Sequence, residues 1–212
     1  MRRVSMIGIS GSGKSTLARE LARILGLPHT ELDSIIHQAG WTALPVEEFR
    51  RRVSVLVAQE RWVLDGNYSG QVQSIIWARA DTVVWLDLPR PVVMRRVIIR
   101  TLHRVLGRVE LWNGNRESWR QLLSWDKEEN VIAWAWQMQS VQRDRYTAAM
   151  ADPANGHLRF IRLRSPGEVR RFLRSASGEL GLGRLGLGRL GLGRLGLRRL
   201  GLRRRPALRA RR

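Results

Sequence analysis

The chain has 212 residues, and its 38 Lys plus Arg against 18 Asp plus Glu leave a formal charge of +20. Its 43% apolar residues are ample for one buried core, which excludes a wholly disordered chain, and no apolar run approaches the roughly 18 residues of a membrane span. The absence of cysteine excludes a disulfide framework, a thiolate metal site and a cysteine nucleophile, and an N-terminal stretch broken by Ser5, Gly8, Ser10 and Lys14 does not read as a signal peptide, so the expected address is the cytoplasm.

In chain order, short β-branched and apolar runs alternate with helical periodicity. The pattern predicts a strand at 3–7, a helix at 14–25, a strand at 29–32, a helix at 46–60, a strand at 62–64 and a helix at 70–78. It continues with a strand at 82–86, helices at 91–106, 116–123 and 128–150, a strand at 158–163 and a helix at 166–174. This alternation is the mark of an α/β domain with a mainly parallel sheet. The last helix has a defined start, with Ser165 as N-cap, Pro166 at the first helical position and Glu168 placed for a capping box. The folded domain is expected over 1–177.

Residues 178–212 form a different object. They hold 11 Arg and one acidic residue, Glu179, a net +10 that is half the whole surplus. From Glu179 the sequence repeats every five residues, as ELGLG, RLGLG, RLGLG, RLGLR and RLGLR, with leucines spaced by two and then three. In a strand each repeat would flip the apolar face; in a helix each repeat advances about 500 degrees and smears the leucines around the cylinder. A glycine in every repeat costs a helix up to about 1 kcal/mol against alanine, so the segment reads as a disordered, low-complexity tail. Such a tail can bind nucleic acid or an acidic surface weakly and non-specifically by counterion release, but with no phased amphipathic face it reads first as an expanded, idle repeat. It has no aromatic residues for base stacking.

The strongest motif is Gly8-Ile9-Ser10-Gly11-Ser12-Gly13-Lys14-Ser15-Thr16, which fits G-x-x-x-x-G-K-[ST] between an expected strand and an expected helix. Gly8, Gly11 and Gly13 let the backbone bend so that amide N–H groups along Ser10 and Ser12 turn inward to cradle phosphate beside a helix N-terminus. Lys14 is suited to the β- and γ-phosphates of ATP, the Ser15 hydroxyl to Mg²⁺, and Thr16 to the α-phosphate side. Lys14 is one of only two lysines against 36 arginines, at the position where a compact ammonium is required.

Parallel sheets place ligands at the carboxyl ends of their strands, so acids there take priority. Asp65, after Trp62-Val63-Leu64 and before Gly66, has the pattern of an acid that holds Mg²⁺, with a helix N-cap as the structural alternative. Asp33 is suited to orient an acceptor hydroxyl or take its proton. Asp87 reads equally as a site acid or as a cap for the following helix.

Among the arginines, Arg96 and Arg100 are four apart and share a helical face near the catalytic edge. Arg116 lies in the polar stretch Leu111-Trp-Asn-Gly-Asn-Arg116-Glu-Ser, which has the character of a lid, about 107–120, closing over the nucleotide. Arg143 and Arg145, two apart on one helix, cannot share a face, and at most one is expected to point at the phosphates; Arg79 is expected at the opposite edge of the sheet. The histidines at 29, 37, 103 and 157 make no zinc-spaced set, and tryptophans such as Trp125, Trp134 and Trp136 read as packing residues.

Taken together, GISGSGKST, ELDSIIH, WVLDGNY, RADTVVWLDLPRPVVMRRVIIR, ELWNGNRES and LRSPGEVRRFL resemble, in order over residues 3–173, the adenylate-kinase-like P-loop kinases, and more closely the bacterial group labelled topology modulation proteins. The resemblance implies a three-layer P-loop NTPase fold with a five-stranded parallel sheet in the order 2-3-1-4-5 and a helical lid. It also implies that Arg96 and Arg100 clamp phosphates and that Arg164, Ser165 and Pro166 form the loop against adenine. Nucleoside monophosphate kinases follow the Asp-Gly of strand three with phenylalanine, proline and arginine; here Asn67-Tyr68-Ser69 stand there, which counts against AMP as acceptor. The expectation is an ATP- and Mg²⁺-dependent phosphotransferase acting on a small hydroxyl-bearing or nucleotide acceptor. The alternative is a nucleic-acid-binding nucleotide switch.

Overall fold

A computed structural model describes residues 1–120 and 130–178. Trp125, the end of the expected 116–123 helix, the start of the 128–150 helix and the repeat from residue 179 onward lie outside the described residues.

Five strands, β1 (Arg3–Gly8), β2 (His29–Glu31), β3 (Trp62–Asp65), β4 (Thr82–Leu86) and β5 (Arg159–Leu163), form one parallel sheet in the order β2-β3-β1-β4-β5. Because side chains alternate across a strand, the central strands sort their apolar residues onto two faces. Val4, Met6, Val63, Val84 and Leu86 pack with Leu17, Leu21 and Phe172 from α1 (Lys14–Leu25) and from the C-terminal helix on one face. Ile7, Trp62, Leu64, Val83 and Trp85 pack on the other with Phe49, Ile76, Trp77 and Tyr146. Each fully buried aliphatic side chain contributes about 1.5–3 kcal/mol, so both faces are needed to hold the sheet. The result is the three-layer arrangement and the strand order that the resemblance implies.

Further helices whose bounds lie within the described residues are α2 (Asp33–Ile36), α3 (Val46–Val57), α4 (Gln73–Trp77), α5 (Arg90–Leu106), α6 (Val131–Ala151) and α7 (Pro166–Gly178). Helix α1 spans the residues its apolar periodicity marks and stops at Gly26, whose left-handed φ of 61° lets its N–H reach Ala22 O. Helix α7 begins as expected on Ser165, whose Oγ accepts from Glu168 N at 3.2 Å; the Glu168 carboxylate takes the Arg164 N–H at 2.6 Å, one residue earlier than a capping box predicts. The helix expected at 70–78 is shorter because Gln71, Val72 and Gln73 N–H all converge on Tyr68 O in a turn. The helix expected from 116 does not include that residue: Arg116 pairs with Glu110 in an isolated antiparallel bridge around a 3₁₀ turn, Trp112–Gly114. No helix among the described residues is long and apolar enough to cross a membrane.

Candidate active site

The carboxyl ends of β1, β3 and β4 meet at one edge, and the glycine-rich loop crosses it. Gly8 (φ 152°) and Gly11 (φ 82°) adopt conformations that side chains disfavour, and space is short as well. A Cβ at Gly8 would lie 2.7 Å from Ser12 Oγ and 3.0 Å from Leu86 O; one at Gly11 would lie 2.9 Å from Val93 O and from Val97 Cβ. The loop is therefore wedged between β4 and α5. Lys14 opens α1, and the Ser15 hydroxyl donates to Asp65 Oδ1 at 3.0 Å, while Thr16 is exposed.

Arg96 and Arg100 straddle the loop from α5. Arg96 Nη1 donates to Ser12 O at 3.0 Å and Arg100 Nη2 to Ser10 Oγ at 2.9 Å. Neither bond carries an opposing charge. Burial pulls the Arg96 guanidinium below its ordinary value, and burial plus the neighbouring Arg104 pulls Arg100 down to about 10, partly offset by Glu117 and Asp33. Both stay cationic at neutral pH; among the described residues no carboxylate is bonded to either, and a polyanion at the loop would supply the counter-charge. The row continues to Arg104, one further turn along α5, which pairs with Glu117 at 2.7 Å.

Three strand-end acids have different fates. Asp65, 1% exposed, receives Ser15 on Oδ1 and His29 Nε2 at 2.8 Å on Oδ2, and it caps no helix. Asp33 opens α2 and accepts the Tyr68 hydroxyl at 2.6 Å; burial first, and the Asp33 charge second, hold that phenol far above its ordinary value, so it remains a neutral donor. Asp87 does not cap α5, whose N-cap is Pro89 without a side-chain bond. Its carboxylate instead takes Arg143 at 2.8 Å and Arg162 at 2.6 Å, with Arg162 lying over the Trp85 ring at 4.1 Å. The two arginines of α6 splay as their spacing requires, Arg143 to Asp87 and Arg145 to the Ser69 hydroxyl, and so reach two separate points of the same edge.

Asn67 carries a role that the sequence left open. Its Oδ1 accepts from Gly8 N at 3.0 Å and its Nδ2 donates to Gly8 O and to Gln142 Oε1 at 3.2 Å, so one amide braces both polar groups at the root of the loop. His29, Glu31, Asn67 and Tyr68 were not singled out from sequence. The available signal was the departure from Phe-Pro-Arg after Asp65-Gly66, together with the i, i+2 spacing of His29, Glu31 and Asp33.

The segment expected as a lid docks on the turn after α2. Trp112 Nε1 donates to Glu31 Oε2 at 3.1 Å, Asn115 Nδ2 to Gln38 O at 2.8 Å, and Asn115 Oδ1 accepts from Trp41 N at 2.9 Å. Asn113 donates to His37 O, and the His37 and Trp112 rings stack at 6.0 Å. Arg116 pairs with Glu110 at 3.4 Å within the segment, while its carbonyl accepts from Trp41 Nε1. The structure thus brings Lys14, Ser15, Asp65, Asp33, Arg96 and Arg100 to one edge and engages Arg116 with Glu110 inside its own segment. Arg164, Ser165 and Pro166 follow β5, whose last residue, Leu163, pairs with Leu86 at that same edge.

Ser15 and Asp65 present hard oxygen donors beside the phosphate loop, and among the described residues no arginine occupies the Asp65 carboxylate; this donor set fits Mg²⁺.

No protein-family model matches the chain. It is 24% identical over 136 residues to the shikimate kinase of Synechococcus elongatus, a match covering 55% of this chain and 72% of the relative. It is 54% identical over 35 residues to the shikimate kinase of Paracidovorax citrulli, covering 16% and 19%. Among solved structures, the shikimate kinase of Acinetobacter baumannii in complex with shikimate superposes with a TM-score of 0.48 at 18% identity, covering 88% of this chain and 96% of that one. A gluconokinase of Sinorhizobium meliloti gives 0.46 at 15% identity, covering 85% and 91%.

Proposed function

We propose that the chain is an ATP-dependent kinase that phosphorylates a small hydroxyl-bearing acceptor, with residues 1–177 as the kinase domain. The observation that carries this is the contact between Ser15 and Asp65, which ties the phosphate loop to a strand-end acid, with Arg96 and Arg100 on the same loop carrying no carboxylate among the described residues. Lys14 and the loop amides hold the β- and γ-phosphates; Ser15 and Asp65 hold Mg²⁺, which when bound neutralises charge between those phosphates. Arg96 and Arg100 take up the charge of the transferring group, and Arg164, Ser165 and Pro166 line the adenine side. Asp33, with Tyr68 on Oδ1, keeps Oδ2 for the acceptor hydroxyl, which it orients or deprotonates. Arg116 joins the phosphates only after leaving Glu110.

The names of the sequence relatives favour a hydroxylated carboxylic acid as acceptor, and Asn67-Tyr68-Ser69 in place of the monophosphate-binding arginine counts against AMP. The ordered motifs over 3–173 support the narrower likeness to the topology modulation group. The test is ATP consumption with shikimate, gluconate and nucleoside monophosphates, each against an acceptor-free control. Acceptor-dependent turnover that Lys14→Ala abolishes is the expected result. Turnover unchanged by Lys14→Ala overturns the site.

A further inference from the structure

In a chain whose basic residues are almost all arginine, the buried carboxylates at the catalytic edge are not treated alike. Asp87 takes two arginines, whereas Asp65, the more buried of the two, takes none among the described residues: its partners are the Ser15 hydroxyl and the His29 imidazole. A buried carboxylate without a permanent counter-charge is costly unless a cation comes to it. Its surroundings are arranged by strand geometry. Glu31 is paired in register with Asp65 across β2 and β3, and His29 lies two residues before Glu31, so all three side chains leave the same face of the sheet, toward the first turns of α1. Donor atoms of His29, Glu31 and Asp65 all lie within 4.8 Å of one another. Glu31 is anchored from outside by Arg19 at 2.9 Å and by Trp112 at 3.1 Å, and His29 is 14% exposed.

We infer that His29 is itself a ligand of the cation site, which makes that site a mixed nitrogen and oxygen centre that takes a first-row divalent metal such as Mn²⁺ in preference to the Mg²⁺ its oxygens also fit. The inference rests on the assignment of Ser15 and Asp65 as cation ligands. Ligation would replace the hydrogen bond from His29 Nε2 to Asp65 Oδ2: with the imidazole proton on Nδ1 instead, the Nε2 lone pair meets an ion seated beside Oδ2, Asp65 and Ser15 supply oxygen, and Glu31 closes the set. An imidazole ligand favours Mn²⁺ and its later neighbours over Mg²⁺, which dehydrates reluctantly and prefers oxygen. Three protein side chains with Ser15 also suffice to hold the ion before any nucleotide arrives. This sets the site apart from one built from a hydroxyl, an acid and the phosphates themselves.

The experiment uses the full chain, no nucleotide, and Mn²⁺ as probe. Electron paramagnetic resonance follows loss of the free Mn²⁺ signal, and spin-echo modulation on the bound ion reads directly for a nitrogen nucleus. The expected result is binding with imidazole nitrogen modulation, retained in His37→Asn and lost in His29→Asn with at least about a tenfold fall in affinity. Histidine labelled with ¹⁵N in the otherwise unchanged protein must shift the modulation, which keeps the test open if His29→Asn fails to fold. Mn²⁺ bound without nitrogen modulation, or no binding without nucleotide, overturns the inference. The two readings fail separately: oxygen-only Mn²⁺ in a protein that still phosphorylates an acceptor sinks this inference alone, whereas nitrogen-bound Mn²⁺ in a protein that never consumes ATP upholds the site and sinks the kinase.

Discussion

Arg100 should be a residue whose removal stabilises the protein and weakens ATP binding. Its guanidinium is mostly buried, and among the described residues its Nε has no hydrogen-bond partner and its Nη2 reaches only a neutral serine hydroxyl. The depression from 12.5 to about 10 measures how far the charged form is disfavoured: about 2.5 units at about 1.36 kcal/mol each, or ~3 kcal/mol at most. Replacement by methionine keeps the stem packed and removes the charge, at the loss of one hydrogen bond of about 1 kcal/mol. Arg100→Met should therefore raise stability by about 1–2 kcal/mol, which is about 2–8 °C in midpoint for a chain of this size. In the same variant the charge-assisted contact with phosphate is gone, which costs about 1.5–3 kcal/mol, or about a 10- to 150-fold weaker ATP affinity. Thermal unfolding and titration calorimetry with ATP give the two numbers. A variant that is less stable, or that binds ATP as the parent does, would refute the view of Arg100 as an under-compensated charge held for an anion.

Other consequences follow from the same geometry. Asn67→Ala leaves Gly8 N–H and C=O without their brace, at about 1–3 kcal/mol for each group that stays dry, so denaturant unfolding and ATP affinity should both worsen; an unaltered ATP affinity with a raised acceptor KM would make Asn67 an acceptor ligand instead. The two Asp87 ion pairs should differ: Arg162, 19% exposed, should cost about 2–4 kcal/mol on truncation to alanine, whereas Arg143, 44% exposed, should cost under about 1 kcal/mol, and equal losses in chemical denaturation would contradict the burial argument. Both tyrosines of the chain titrate high in the fold, Tyr146 at about 12 through burial and Tyr68 higher still. The folded state holds these protons more tightly than the unfolded chain, so stability is complete below pH 10 and falls as pH rises above it, by about 2 kcal/mol for Tyr146 alone by pH 12. Tyrosinate absorbance should show neither phenol ionising near 10 in the folded protein, and titration of either one there would break the assignment.

How much of this was legible from the sequence depends on the range of the cause. Helix α1, the strand at 82–86 and the loop from Gly8 to Ser15 are written locally, in apolar spacing and glycine placement, and they appear where that spacing puts them. The strand ends give up their acids by the same local logic, because β3 stops at Asp65 and β4 stops one residue before Asp87. What each acid does is not local. Asp65 and Asp87 look alike in sequence, each following an apolar run. Asp87 becomes structural because Arg143 and Arg162, 56 and 75 positions away, arrive from α6 and β5, and among the described residues Asp65 takes no arginine because β2 delivers a histidine in register with Val63 instead. The docking of 112–116 on 31–41 is hidden for the same reason, since its bonds span 74 to 81 positions and involve asparagines and tryptophans that read locally as loop polarity and core packing. Even the charge surplus divides along this line. An arginine on the surface is satisfied by water whatever its sequence context, so a composition of 36 arginines marks no site; the informative ones are Arg96 and Arg100, whose partners on the phosphate loop are neutral oxygens that only the fold reveals.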